Sequence, residues 1–253
     1  MDTYNIKLTV ALPVFNSQKI GWLAMEGLCN QKGINFDWEL IIAEEQIDNI
    51  LGKAFFDSYS DRLKKVGCVK INYLDLGNKW VSLSRKWKII ADNSNKTSEV
   101  YVLHAIDCYS RPDRLLDAYE YIANQKYDWV QDKIGVFYNI SYDKCILYYD
   151  PAVTQSAGLN MATRVDLMKM LPVEDLKSKI DGWIRRNIEI KSTKNLNKIG
   201  NGVDTDGLNN ISKSREKYFR KQLQQDCVFK PTNLTIEQLI PQYICDKLKS
   251  LAK

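Results

Sequence analysis

The stretch Val100-Tyr101-Val102-Leu103-His104-Ala105-Ile106-Asp107-Cys108-Tyr109-Ser110-Arg111-Pro112-Asp113-Arg114-Leu115 constrains the fold more than any other part of the chain. A short apolar run delivers a carboxylate at its C-terminal end and gives way to a helix opened by Pro112, whose fixed φ suits a first helical turn. Strands that end this way are typical of open α/β sheets, which hold ligands at the carboxyl edge of their strands. Taken alone, Asp107 reads equally well as a cap for the helix that follows. The chain upstream repeats the pattern. Ile6–Val14 is an apolar, β-branched run, and Asn16-Ser17 then caps a helix carrying Ile20, Leu23, Met25 and Leu28. Trp38–Ala43 is a second buried strand, and Glu44-Glu45-Gln46-Ile47-Asp48 sets acids at its edge. Leu51–Val66 reads as helix, Val69–Leu76 as strand and Leu83–Ala91 as helix. This alternation predicts βαβ units and a mostly parallel central sheet flanked by helices.

After a helix over Pro112–Gln125 the pattern changes. Trp129–Ile140 and Lys144–Tyr149 read as strands joined by the turn Ser141-Tyr142-Asp143, a small antiparallel element. Met161–Leu171 and Leu176–Ile188 read as helices. Lys191–Ser212 is rich in Asn, Gly, Lys, Ser and Thr with few apolar anchors, which predicts a mobile loop. Within it, Gly202-Val203-Asp204-Thr205-Asp206-Gly207-Leu208-Asn209-Asn210 has the composition of either a lid or a disordered surface loop. Leu234–Leu251 is an amphipathic C-terminal helix.

At 253 residues, 45% of them hydrophobic and 26% charged, the chain has the size and composition of one large globular domain or one domain with an appendage. No apolar run approaches the length that spans a bilayer, so no transmembrane segment is expected, and the N-terminus lacks the basic flank of a signal peptide. A soluble, cytoplasmic protein is the expectation. The six cysteines form no CxxC pair, which argues against a zinc site and a disulfide framework. The net charge of +5 is moderate. Its basic residues cluster at Arg185, Arg186, Lys191, Lys194, Lys198, Lys213, Arg215, Lys217, Arg220 and Lys221, around the predicted loop.

Read in order, these segments resemble the family 2 glycosyltransferases, nucleotide-sugar enzymes of the GT-A fold. Leu12-Pro13-Val14-Phe15-Asn16 is similar to the turn that closes that family's first strand, and Ile41-Ile42-Ala43-Glu44-Glu45-Gln46-Ile47-Asp48 to its acidic second strand end. Ser84-Arg85-Lys86-Trp87 is similar to the helix before its metal-binding strand. Ala105-Ile106-Asp107-Cys108, leading to Pro112-Asp113-Arg114-Leu115, is similar to its Asp-x-Asp stretch. Ile180-Asp181-Gly182-Trp183 echoes its acceptor-side acid. The resemblance runs from Ile6 to Arg186 and departs at two places: Ala43 and Ala105 stand where the family carries acids. It implies a GT-A-like α/β domain over 1–187, with a mobile basic loop and a helical C-terminal extension over 188–253 packed on the same domain.

The resemblance also implies roles. Pro13, Val14, Phe15, Glu44 and Asp48 would meet the nucleoside, since carboxylates accept hydrogen bonds from base N–H groups and ribose hydroxyls. Arg85 would approach the diphosphate, a surface salt bridge being the alternative. Asp107 would hold Mn²⁺ or Mg²⁺, and one carboxylate suffices when the donor supplies phosphate oxygens. Asp181 would be the catalytic base of an inverting transfer, with Glu174 or Asp175 as the competing acid. Trp183 would stack on a sugar or fill the core. His104, the chain's single histidine, reads better as a core residue than as a ligand. The implied partners are a nucleoside-diphosphate sugar, UDP-linked by expectation, and a glycan or other hydroxyl acceptor. One variant replaces that acceptor by DNA carrying a hydroxylated base, which the basic cluster suits. A further reading, prompted by the incomplete acid pairs, is a non-catalytic module that binds nucleotide sugars or nucleic acid.

Overall fold

The computed structural model describes residues 4–149, 159–174, 176, 180–206 and 229–251. Four parallel strands form the centre: β1 (Leu8–Val14), β2 (Trp38–Glu44), β3 (Cys68–Asp75) and β4 (Val100–Leu103), in the order β3-β2-β1-β4. All seven residues of β1 and of β2 are buried, because helices cover both faces of a parallel sheet. Beyond β4 the sheet continues antiparallel through β8 (Leu159–Arg164), β6 (Trp129–Asn139), β7 (Lys144–Tyr149) and β10 (Phe229–Pro231). Strand β9 (Thr193–Asp206) runs parallel along β6 and pairs antiparallel with the two-residue β5 (Cys108–Tyr109). The molecule is thus one mixed α/β domain with a parallel centre.

Side-chain alternation divides the interior. Leu8, Val10, Leu12 and Val14 face a core shared with α1 (Trp22–Cys29), α2 (Gly52–Asp57), α3 (Ser60–Lys64) and α5 (Arg114–Tyr119). Ala11, Ile41, Ala43, Tyr101 and Leu103 face the opposite core, built with α4 (Leu83–Asp92), α6 (Val165–Lys169) and α7 (Ile180–Asn187). A third cluster joins Ile20, Trp22, Leu23, Tyr109, Val136 and Tyr138 to Ile244, Cys245 and Leu248 of α8 (Gln242–Ser250).

Several local expectations are corrected. Met161–Arg164 is not the start of a helix: it belongs to β8, whose backbone pairs with β4, and the helix begins only at Val165. The predicted loop is largely strand. Over Thr193–Asp206 the polar chain has its backbone paired with β6 and β5, so it needs few apolar anchors of its own, and Leu196 is buried. Leu51–Val66 breaks into α2 and α3, and the C-terminal helix shortens to a 3₁₀ turn (Ile236–Gln238) and α8. Helix α1 starts at Trp22 without a side-chain cap, while Ser17 Oγ donates instead to the Phe15 carbonyl at 2.7 Å.

Helix α8 is fastened by carboxylates. Glu26 on α1 accepts from both terminal nitrogens of Arg62 at 2.7 Å and from the Tyr243 hydroxyl at 2.9 Å. The Arg62 hydrogen bonds hold the Glu26 carboxyl below its ordinary 4.5 against the opposing effect of burial. Glu237 pairs with Lys249 at 2.5 Å, and that contact lowers its carboxyl to about 2. Both folded values are depressed, so the stabilisation is complete above pH 4.5 and is lost as pH falls through the folded values. Amides of 242–250 are therefore expected to lose hydrogen-exchange protection between about pH 4.5 and 2. Unchanged protection across that window would mean that apolar packing alone holds the helix.

Candidate functional site

The carboxyl edge of the parallel strands is built by alternation. Val14 and Glu44 are register partners at the ends of β1 and β2. Glu44 turns toward α2, where its carboxylate accepts from Leu51 N (2.9 Å), Gly52 N (3.0 Å) and the Tyr73 hydroxyl (2.8 Å). Glu45, one residue on, turns the other way. It accepts from Val81 N at 3.1 Å and forms a buried ion pair with Lys86 of α4. Lys86 Nζ also donates to the Val14 carbonyl at 2.6 Å and lies 5.4 Å from the centre of the Phe15 ring. Burial lowers the Lys86 pKa, opposed by its bond to Glu45. Glu44, expected from the resemblance to meet the nucleoside, fixes a helix terminus here, and its neighbour Glu45 fixes a buried ammonium. Phe15 and Asp48 are the residues of this group that stay exposed. Their loops are tied together by Asn49 Nδ2 donating to Asn16 Oδ1 at 2.6 Å, and Asn16, Asp48 and Asn49 all have φ between 30° and 49°. Pro13 is buried within β1 beside Ala43.

Strand β4 stops at Leu103, level with Ala11, and a tight turn closed by Cys108 N to Ala105 O at 3.2 Å carries Asp107 past the edge. Asp107 is half-buried there. His104 is on the α5 face, fully buried, with Nδ1 2.6 Å from a terminal nitrogen of Arg114. Burial and the Arg114 charge push the imidazole well below its ordinary pKa, so it is neutral. Arginine can only donate, which places the single proton on Nε2. His104 is thus the core residue that the sequence suggested. Burial brings Arg114 down to about 10, and its guanidinium braces the turn by donating to the carbonyls of Leu103 and Met161. On the other side α1 presses close: a Cβ on Gly27 would lie 2.4 Å from Ser110 N, so only glycine fits.

Beneath this turn Arg111 ties three carboxylates together. It reaches Asp132 on β6 at 3.1 Å and Asp117 on α5 at 2.5 Å, and it also pairs with Asp113. Lys198 on β9 bonds both Asp113 and Asp117 at 2.6 Å. Strand β9 then pairs with β5, Cys108 opposite Asp204, directly beside Asp107. None of Arg111, Arg114, Lys86 and Tyr73 was singled out in the sequence. For Lys86 and Arg114 a signal existed. Lys86 shares the helical face of Ile90, and Arg114 that of Ala118 and Ile122.

Asp181 lies in the first turn of α7, and its side chain is outside the described residues, as are Asp175 and the side chain of Arg185. Leu176 N donates to Ser84 Oγ at 3.1 Å, at the start of α4. Trp183 packs against the α4–α6 core, and Arg85 is exposed, pointing away from the buried face that takes Lys86. Glu174 is exposed. In the basic cluster, Lys198 is engaged by two carboxylates and Lys194 lies 5.0 Å from the Tyr121 ring, while 213–221 fall outside the described residues. Among the described residues no group of three or more His, Cys, Asp and Glu is placed to hold a metal ion. A single half-buried carboxylate at a strand end suits a cation that takes its other ligands from diphosphate and water.

This sheet order defines a GT-A-like α/β fold. Among solved structures the chain is similar to S. aureus TarS 1-349 in complex with UDP-GlcNAc, with 16% identity and a TM-score of 0.63 over 81% of this chain and 60% of that one. It is also similar to the mannosyltransferase PcManGT from Pyrobaculum calidifontis in complex with GDP-Man and Mn²⁺, with 10% identity and a TM-score of 0.56 over 86% and 61% of the two chains. The match thus spans about three fifths of either neighbour. No family model matches the chain, and no curated protein matches it. No helix among the described residues is long and apolar enough to cross a membrane.

Proposed function

We propose that the protein transfers a sugar from a nucleoside diphosphate, a UDP-sugar by preference, to a hydroxyl of a glycan, with inversion at the anomeric carbon. The observation that supports this most is the placement of the Asp107 turn and the exposed Phe15 turn on one carboxyl edge of a GT-A-like sheet. Phe15 and Asp48 meet the nucleoside, and Glu44 acts behind them by holding α2 and Tyr73. Asp107 is the residue that would hold Mn²⁺ or Mg²⁺, whose chemistry there is to neutralise charge on the departing diphosphate. Asp181 takes the proton of the acceptor hydroxyl as it attacks from the opposite side. Trp183 serves the core, and Arg85 remains available to a phosphate from the surface.

Incubation with Mn²⁺ and a panel of UDP- and GDP-sugars tests the reading. Release of nucleoside diphosphate, fastest from a UDP-sugar, is expected. Nucleotide binding without release would indicate a non-catalytic module, and neither binding nor release would end the donor assignment.

A further inference from the structure

We propose that Lys86 is a positioning residue for the nucleoside end of the donor, acting through the Val14–Phe15 turn, an inference that rests on the donor reading above. Three contacts converge on one ammonium whose side chain is only 4% exposed. Glu45 neutralises it, the Val14 carbonyl accepts from it at 2.6 Å, and the Phe15 ring covers it at 5.4 Å. The carbonyl bond fixes the last residue of β1. The cation under the ring fixes the plane of Phe15, which is 38% exposed and so retains open aromatic surface for a flat heterocycle. Glu45 completes the device by accepting from Val81 N, which joins the start of α4 to the end of β2. Lys86 itself needs no contact with ligand. A preset ring removes the ordering cost that a freely rotating aromatic side chain would bring to binding.

The test uses UDP as probe, titrated calorimetrically with and without Mn²⁺. Lys86→Met alone would strand the buried Glu45 charge, so the informative variant is Lys86→Met/Glu45→Gln, which removes both charges together. Its UDP affinity is expected to fall by about tenfold, the scale of the ordering cost of one immobilised side chain, by the same factor with and without Mn²⁺, while the melting midpoint stays close to the parent's. In a Phe15→Ala background the same double change should cost almost nothing further, because the two act through one ring. An undiminished UDP affinity, or losses that simply add across Phe15 and the pair, would overturn the role of Lys86. Absence of UDP binding by the parent protein would instead overturn the donor reading.

Discussion

Asp181→Asn is expected to lower turnover by about two orders of magnitude or more while leaving donor affinity within a few-fold, the signature of a lost general base. The amide keeps the volume of the carboxylate and cannot take a proton. Asp181 sits in the first turn of α7, and Leu176 upstream of it donates to Ser84 Oγ at 3.1 Å, whereas the proposed donor contacts come from the loops after β1, β2 and β4. Separate elements for donor and acceptor are what allow kcat to fall without a matching change in UDP binding. The measurement is steady-state transfer alongside direct titration with UDP. Full activity in the variant would move the role elsewhere, with Glu174 the next acid to substitute.

The second large effect is on stability. Arg111→Met removes the centre of the network that joins α5, β6 and, through Lys198, β9. Burial works to lower the Arg111 pKa, but Asp132, Asp117 and Asp113 together raise it, so the guanidinium stays charged. The side chain of Asp132 is 1% exposed, and burial already lifts its pKa above the ordinary 3.8 despite the attraction of Arg111. Without Arg111 a carboxylate is left in the interior with Asn160 Nδ2 at 2.7 Å. Removing one partner of a buried pair costs about 3–5 kcal/mol, which denaturant unfolding would register directly. The double change Arg111→Met/Asp132→Leu should recover much of that loss, since a pair replaced by apolar groups of similar size is close to neutral. If the single variant unfolds at the parent's midpoint, the network is dispensable.

The parallel half of the fold was legible because its signals are local. Apolar runs that end in Pro, Asn or acid mark β1, β2 and β4, and the 3.6-residue period marks α4. The antiparallel half was not. Met161–Arg164 has the composition of a helix start, and Thr193–Asp206 that of a loop. Each becomes strand because a remote partner, β4 for one and β6 with β5 for the other, offers its backbone hydrogen bonds. The candidate site divides the same way. Asp107 lies half-buried in the turn that follows β4, and His104 turns into the core. Arg85 and Lys86 are adjacent in sequence, yet the helix buries the second and exposes the first.

By itself, the sequence determined the succession of strands and helices and the presence of acids where strands end, since both depend on spacing along the chain. Tertiary structure alone decided what those acids do. Glu44 and Glu45 stand at the same strand end, but neighbouring side chains of a strand leave on opposite faces, and what waits there, the uncapped start of α2 just downstream for one and the Lys86 ammonium of α4 for the other, is set by which helix packs on each face of the sheet.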